Sequence, residues 1–294
     1  MRLMNNVIPD TAALLMQGHE AAQHGVQEGA EHGGEAIGDV LIHHVANADY
    51  LDFLGHKVPL PHLPEMFGID MSITKHVVML WIAAALVFFV FAFGMKWKKM
   101  VPANGLTSFF EPIIIFVRDE IVYQTFGKDG KPFLPFFLTV FFFILFMNLL
   151  GLFPFMATAT GNIMVTGALA LISFVLIQVA GMVKNGFFTH WKNLVPSGVP
   201  APLIPILIPV ELMGMMAKPF ALCIRLFANM TAGHIVIFAF LGLIILLENY
   251  FIASVAIPLA VAITAMEIFI AFLQAYIFTF LTALFVSMTY HPSH

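Results

Sequence analysis

The sequence predicts an all-α, polytopic membrane protein with about five membrane-crossing helices, the last two long and strongly tilted as a hairpin. Two observations carry this expectation. Of 294 residues, 60% are hydrophobic and only 10% charged, with 32 Phe and 18 Met, and the mean hydropathy is +0.93. A soluble domain runs about 45–50% apolar and about 25% charged, so too few charges are present to clothe a water-exposed surface. From residue 76 onward, apolar stretches recur that are long enough to cross a hydrocarbon core about 30 Å thick.

Residues 1–70 form a polar N-terminal segment and residues 71–294 the membrane domain. The first part carries ten Asp or Glu against Arg2 and Lys57; the second carries seven acids against eleven bases. His19, Glu20, His24, Glu28, Glu31, His32, Glu35, His43 and His44 mark the head. Gly25, Gly29, Gly33 and Gly34 weaken any helix there, and Pro59, Pro61 and Pro64 make an extended lead-in. Val7-Ile8-Pro9-Asp10 is too broken for a signal-peptide core. No long basic run occurs, which speaks against nucleic acid as a partner. The single cysteine, Cys223, excludes an internal disulfide and a multi-cysteine metal cage. No phosphate-binding glycine loop is present, and His19-Glu20 lacks the second His of a zinc hydrolase motif. Neither a cofactor nor a bound metal is called for.

The spans follow in order: 76–94, 133–156, 163–183, 220–247 and 251–289. Loop charges orient them. The acidic head lies outside. Lys96, Lys98, Lys99, Arg118, Lys128 and Lys131 place the first connection in the cytoplasm, and the 157–162 turn, without bases, returns outside. Lys184 and Lys192 mark the next connection as cytoplasmic. The Glu248-Asn249-Tyr250 turn is again outside, leaving His291–His294 inside. Pro219 is expected to break the chain before the fourth span. The last two spans would then be roughly 42 and 58 Å long at 1.5 Å per residue. A 58 Å rod crossing the bilayer leans about 60° from the normal, whereas ordinary spans tilt by about 20°. Something other than bilayer thickness has set these lengths.

Polar residues in the last third are the candidate functional groups. An Arg at mid-membrane costs about 2.5–3.5 kcal/mol even on the gentlest scale, so Arg225 needs a reason, whether function, an ion pair with Glu267, or a snorkelling position near the interface. Folding the chain about Asn249-Tyr250 sets Arg225 opposite Gln274 and His234 opposite Glu267. Arg225 and Asn229 share a helix face, as do Glu267 and Gln274, while His234 lies about 180° round the helix from Arg225. A His–Glu pair could relay protons, since His titrates near neutrality and a buried carboxylate is tunable. Arg225 keeps its proton and would repel cations and favour deprotonation of a carboxylate brought near it. A static His234–Glu267 pair remains the alternative. Glu211 and Lys218, on one face, read as a structural or interfacial pair, and Asn148 as a hydrogen bond between helices. The Phe and Met content reads as lipid-facing and packing surface.

Three blocks resemble a known family. Lys218-Pro219, Ile224-Arg225-Leu226-Phe227-Ala228-Asn229-Met230 and Ala232-Gly233 resemble the signature helix of subunit a of the F-type ATP synthase membrane sector. Leu273-Gln274-Ala275-Tyr276-Ile277-Phe278 with Leu281-Thr282 is similar to its last helix. Met147-Asn148-Leu149-Leu150-Gly151-Leu152-Phe153-Pro154 resembles its second span. The resemblance covers roughly residues 70–290.

It implies a non-catalytic, proton-translocating stator in a bacterial plasma (inner) membrane, with the N-terminus outside and the C-terminus cytoplasmic. Its partners would be the rotating c-subunit ring, the peripheral-stalk b subunits, the soluble catalytic sector through the complex, and lipid. Arg225 would face the ring carboxylate and separate two half-channels, with Gln274 and Asn229 as polar neighbours and His234 and Glu267 lining the outer half-channel. Many bacterial relatives have the acid on the first of these helices and the His on the second; here the order is reversed, as in mitochondrial forms. The conducted ion would be H⁺ or Na⁺. A self-contained cation or metal secondary transporter is the alternative, although such proteins often show an internal repeat and none is evident.

Overall fold

The structure, a computed structural model, describes residues 50–53, 56–59, 74–94, 105–153, 158–192, 200–247 and 250–290. The His- and acid-rich stretch of residues 19–44, Lys96, Lys98, Lys99, the Glu248-Asn249 turn and His291–His294 lie outside the described residues. A two-stranded antiparallel hairpin comes first, β1 (Tyr50–Phe53) with β2 (His56–Pro59), pairing Tyr50 with Pro59 and Phe53 with His56. It adds a small β element ahead of an otherwise helical chain.

Among the described residues the longer helices that follow are α1 (Lys75–Phe89), α2 (Gly105–Phe116), α3 (Leu134–Gly151), α4 (Ile163–Asn185), α5 (Phe187–Lys192), α6 (Ile204–Leu247) and α7 (Tyr250–Tyr290). Five are long and apolar enough to cross a membrane: α1, α3, α4, α6 and α7. The protein is therefore a polytopic helical membrane protein, as its composition requires. The chain divides into two compact units. One comprises Val45–Gly233 with Thr264–His294, and the other includes His234–Ile263.

One expectation is corrected. Pro219 does not break the chain: α6 starts at Ile204 rather than Phe220 and carries both Pro209 and Pro219 inside it. Proline removes one N–H and crowds the carbonyl four residues back. In an apolar environment, leaving the helix would orphan several backbone groups at once, so the single defect is the smaller cost. The basic connection after α1 carries helical structure of its own. Residues Gly105–Phe116 are α2, continued by a wider π turn at Val117–Tyr123. Val117, Ile121 and Val122 from that turn are fully buried, and Arg118 and Asp119 on its outer side form an exposed ion pair, a contact of little energetic weight.

The core of the larger unit is built from aromatic rings. Phe137, Phe141 and Phe142 of α3 are completely buried. Phe142 meets Phe91 and Phe110 edge-on, at 5.0 and 5.7 Å between centroids. Phe141 meets Phe272 at 5.6 Å, and Phe116 meets Tyr276 at 5.4 Å. Such offset geometries suit the ring quadrupoles. Phe88, Phe109 and Phe220 are exposed instead, so the Phe supply serves both surfaces the sequence assigned to it.

At the end of α4 the chain turns sharply on Gly186, at φ +82°, and α5 folds back. His190 Nε2 lies 2.9 Å from Gln178 Oε1, and its ring presses on Gly181, where an added Cβ would come within 2.6 Å of it. The end of α7 fastens here too, through Asn185 Nδ2 donating to Thr289 O at 2.9 Å and Lys184 Nζ lying 4.6 Å above the Tyr290 ring. Burial holds His190 below its ordinary value of 6.5. The unfolded ring thus takes up a proton more readily than the folded one. The stabilisation it provides is complete above about pH 6.5 and is lost as the pH falls through the lower folded value. Thermal unfolding in detergent should occur at lower temperature at pH 5 than at pH 7.5, and His190→Gln should shrink that difference. An undiminished difference in the variant would contradict this role.

Candidate functional site

Three contacts within the larger unit set α6 antiparallel to α7. Lys218 Nζ lies 4.9 Å above the Phe285 ring. Asn229 Nδ2 donates to Gln274 Oε1 at 3.0 Å. Gly233 abuts Glu267 so closely that a Cβ on it would overlap Glu267 Oε1. Residue numbers rise along one helix as they fall along the other, as the fold-back expectation required. The detailed pairings differ. Gln274 is taken by Asn229, one helical turn past Arg225, and Lys218 rests on Phe285 rather than pairing with Glu211. Long cationic side chains readily cover apolar rings.

α6 has two contrasting faces around Arg225. Leu222, Cys223, Leu226 and Met230 are buried, Leu226 completely. Ala221, Ile224, Arg225, Ala228, Asn229 and Ala232 are exposed and recur at helical spacing along one stripe. Small side chains flank the guanidinium, which lets another helix approach closely. Arg225 makes no hydrogen bond or ion pair among the described residues, so the structural pair with Glu267 does not form. It sits midway along α6, with more than five turns on either side.

Glu267 and Gln274 face inward from α7, at 4% and 2% exposure. His234 is half-buried on α6 and begins the second compact unit. A further polar group lies in the larger unit. Thr160 Oγ1 donates to Asn148 Oδ1 at 2.8 Å, and Asn148 Nδ2 reaches the carbonyl of Ala271, one turn from Glu267, at 3.5 Å. Asn148 is thus the interhelical hydrogen-bonding residue its position suggested. Sequence reasoning missed Thr160, because a threonine in a turn carries no signal of its own. It quoted Gly233 only as part of a motif, although a glycine at mid-helix is itself a sign of close approach. Among the described residues, no three His, Cys, Asp or Glu side chains cluster in a way that could hold a metal.

The larger unit thus presents an exposed arginine on α6 and a buried carboxylate, Glu267, packed against Gly233 of the same helix. Comparison with known proteins gives the family. Residues 77–287 match the family model described as ATP synthase A chain. The chain is 51% identical over 229 residues to ATP synthase subunit a of Myxococcus xanthus, covering 77% of this chain and 75% of the relative. It is 45% identical to ATP synthase subunit a of Anaeromyxobacter dehalogenans, covering 90% and 74%. It is 43% identical to ATP synthase subunit a 2 of Chlorobaculum tepidum, covering 96% and 81%. The chain belongs to the ATP synthase subunit a family.

Proposed function

We propose that this chain is the proton-conducting stator of an F-type ATP synthase, holding two half-channels against a rotating c ring. Family membership makes it a non-catalytic membrane subunit of the complex. The alternative of a self-contained transporter receives no support from the relatives. One observation carries the finer reading: Arg225, unpaired among the described residues, stands on an exposed stripe of small residues in the middle of a long apolar helix.

A lone cation facing lipid would cost about 2.5–3.5 kcal/mol. A ring carboxylate brought opposite it would remove that cost and be held deprotonated while near it. As a cation standing between them, Arg225 separates the two access routes. Asn229, fixed by Gln274, lines the same approach. Glu267 and His234 exchange protons with the outer side. Helices of 44 and 41 residues exceed the roughly 20 residues needed for one crossing, and lying obliquely along a ring gives that length a use. The N-terminus is placed outside and the C-terminus in the cytoplasm of a bacterial inner membrane, with the peripheral-stalk b subunits and the soluble sector completing the complex. Proton pumping by the reconstituted complex carrying Arg225→Ala tests this reading.

A further inference from the structure

His76 lies in the first turn of α1, 2% exposed, and no role described so far uses it. Its ring sits beside the backbone of Thr158, yet neither ring nitrogen is satisfied by a well-formed hydrogen bond. A buried polar side chain left in this state in an apolar bundle calls for an explanation. The surroundings supply one. α1 packs against α3 and against the short turn Ala159–Gly161. Thr158 Oγ1 donates to Gly151 O at 3.4 Å and pins that turn to the end of α3. From the same turn Thr160, itself fully buried, donates to Asn148, and Asn148 reaches Ala271. Ala271 and Glu267 share one face of α7, a turn apart. Buried polar side chains from α1, the turn and α3 therefore collect in the larger unit and reach the backbone of α7 one turn from Glu267.

Resting on the proton-conducting reading above, we propose that His76 is a further proton-carrying residue of the outer half-channel, delivering protons by way of the Thr160–Asn148 pair toward Glu267. Histidine carries two ring nitrogens, so one side chain can take up a proton on one side and give one up on the other. One ring nitrogen accepts a proton from the outer side and the other releases one inward, which leaves the ring neutral in its other tautomer until proton exchange through water restores the first. The Thr160–Asn148 pair positions the path, and water completes it between polar groups too far apart for direct transfer. The titratable groups on the surrounding elements are Lys75, also buried on α1, and Glu267 on α7. The turn and the nearby part of α3 contribute only threonines and Asn148.

The test uses the whole complex in sealed vesicles and measures ATP synthesis at fixed driving force while the outer pH is varied. His76→Gln, assembled at the parent level, should slow synthesis about tenfold near neutral outer pH, the scale of a lost acid–base group when other steps share control. The deficit should shrink as the outer side is acidified, and imidazole added outside should restore part of the rate. Thr160→Val should show a smaller, similarly pH-dependent loss. If His76→Gln fails to accumulate, Thr160→Val is decisive by the same profile. Parent-level rates at every pH would overturn the proposal. So would a uniform loss that neither acid nor imidazole relieves, since that is the mark of packing alone. Should His76→Gln be silent while Arg225→Ala abolishes synthesis, only this inference falls; should both be silent, the proton-conducting reading falls with it.

Discussion

Reconstituted complexes carrying Arg225→Ala are expected to lose both ATP synthesis and ATP-driven proton pumping, while the soluble sector still hydrolyses ATP when uncoupled. The substitution removes a permanent positive charge from the exposed stripe of α6 and leaves its packing intact, because the buried side of that turn is formed by Leu222, Leu226 and Met230. Alanine is also the best helix former, and Ala221 and Ala228 already stand on the same stripe. The subunit should therefore assemble normally. On the proposed reading, what disappears is the group that keeps a passing carboxylate deprotonated and the two access routes apart. One elementary charge moved through 100 mV is worth about 2.3 kcal/mol, and that energy reaches rotation only if protons cannot pass directly from one side to the other. Retained proton-coupled synthesis in the variant would sink the assignment of Arg225.

Gly233→Ala should be the next most damaging small change. In an exposed helix this substitution stabilises by about 1 kcal/mol. Here the added methyl would overlap Glu267 Oε1 and come within 2.9 Å of its Cδ and 3.2 Å of its Cγ. The carboxylate end could swing aside on an open surface, but Glu267 is 4% exposed and has little room. Overpacking of this kind costs about 1–3 kcal/mol, enough to outweigh the helix-propensity gain and to displace the carboxylate. Pumping by the assembled Gly233→Ala complex should fall about tenfold, as misplacing a proton-transfer group does, and Gly233→Leu should disrupt α6–α7 packing outright. Parent-level pumping in Gly233→Ala would show that the position of Glu267 is unimportant.

Much of this was legible from residues alone because water-to-lipid transfer is so unforgiving. Five apolar stretches announced five spans, and charged groups inside them stood out by their cost. The antiparallel run of α6 against α7 also followed, since polar residues in lipid seek one another at equal depth. Finer features were hidden for physical reasons. Pro219 reads as a breaker because propensities are learned in water, where a broken helix can hydrate its backbone; in lipid it cannot. The stretch between α1 and α3 read as a basic connection because Arg118, Lys128 and Lys131 lie in it. Its buried residues, Val117, Ile121 and Val122, follow the widened π turn after α2 rather than a regular helical stripe. Asn229 rather than Arg225 bonds Gln274 because a one-turn register shift is invisible to counting from a loop. His76 stood at the start of a span, where a polar residue is ordinary, and only its burial beside the Thr158–Thr160 turn distinguishes it.

The central claim is that the Arg225 stripe of α6 meets the carboxylate-bearing helix of the c ring, and cysteine cross-linking measures it most directly. With Cys223 replaced by Ser, single cysteines are placed at Ala221, Ile224 and Ala228 on the exposed stripe and at Leu222 and Leu226 on the buried face. Each is oxidised in the assembled complex against a cysteine beside the ring carboxylate. Disulfides should form from positions 221, 224 and 228 and not from 222 or 226. Cross-links from the buried face, or none from the Arg225 face in an assembled and active complex, would contradict the account.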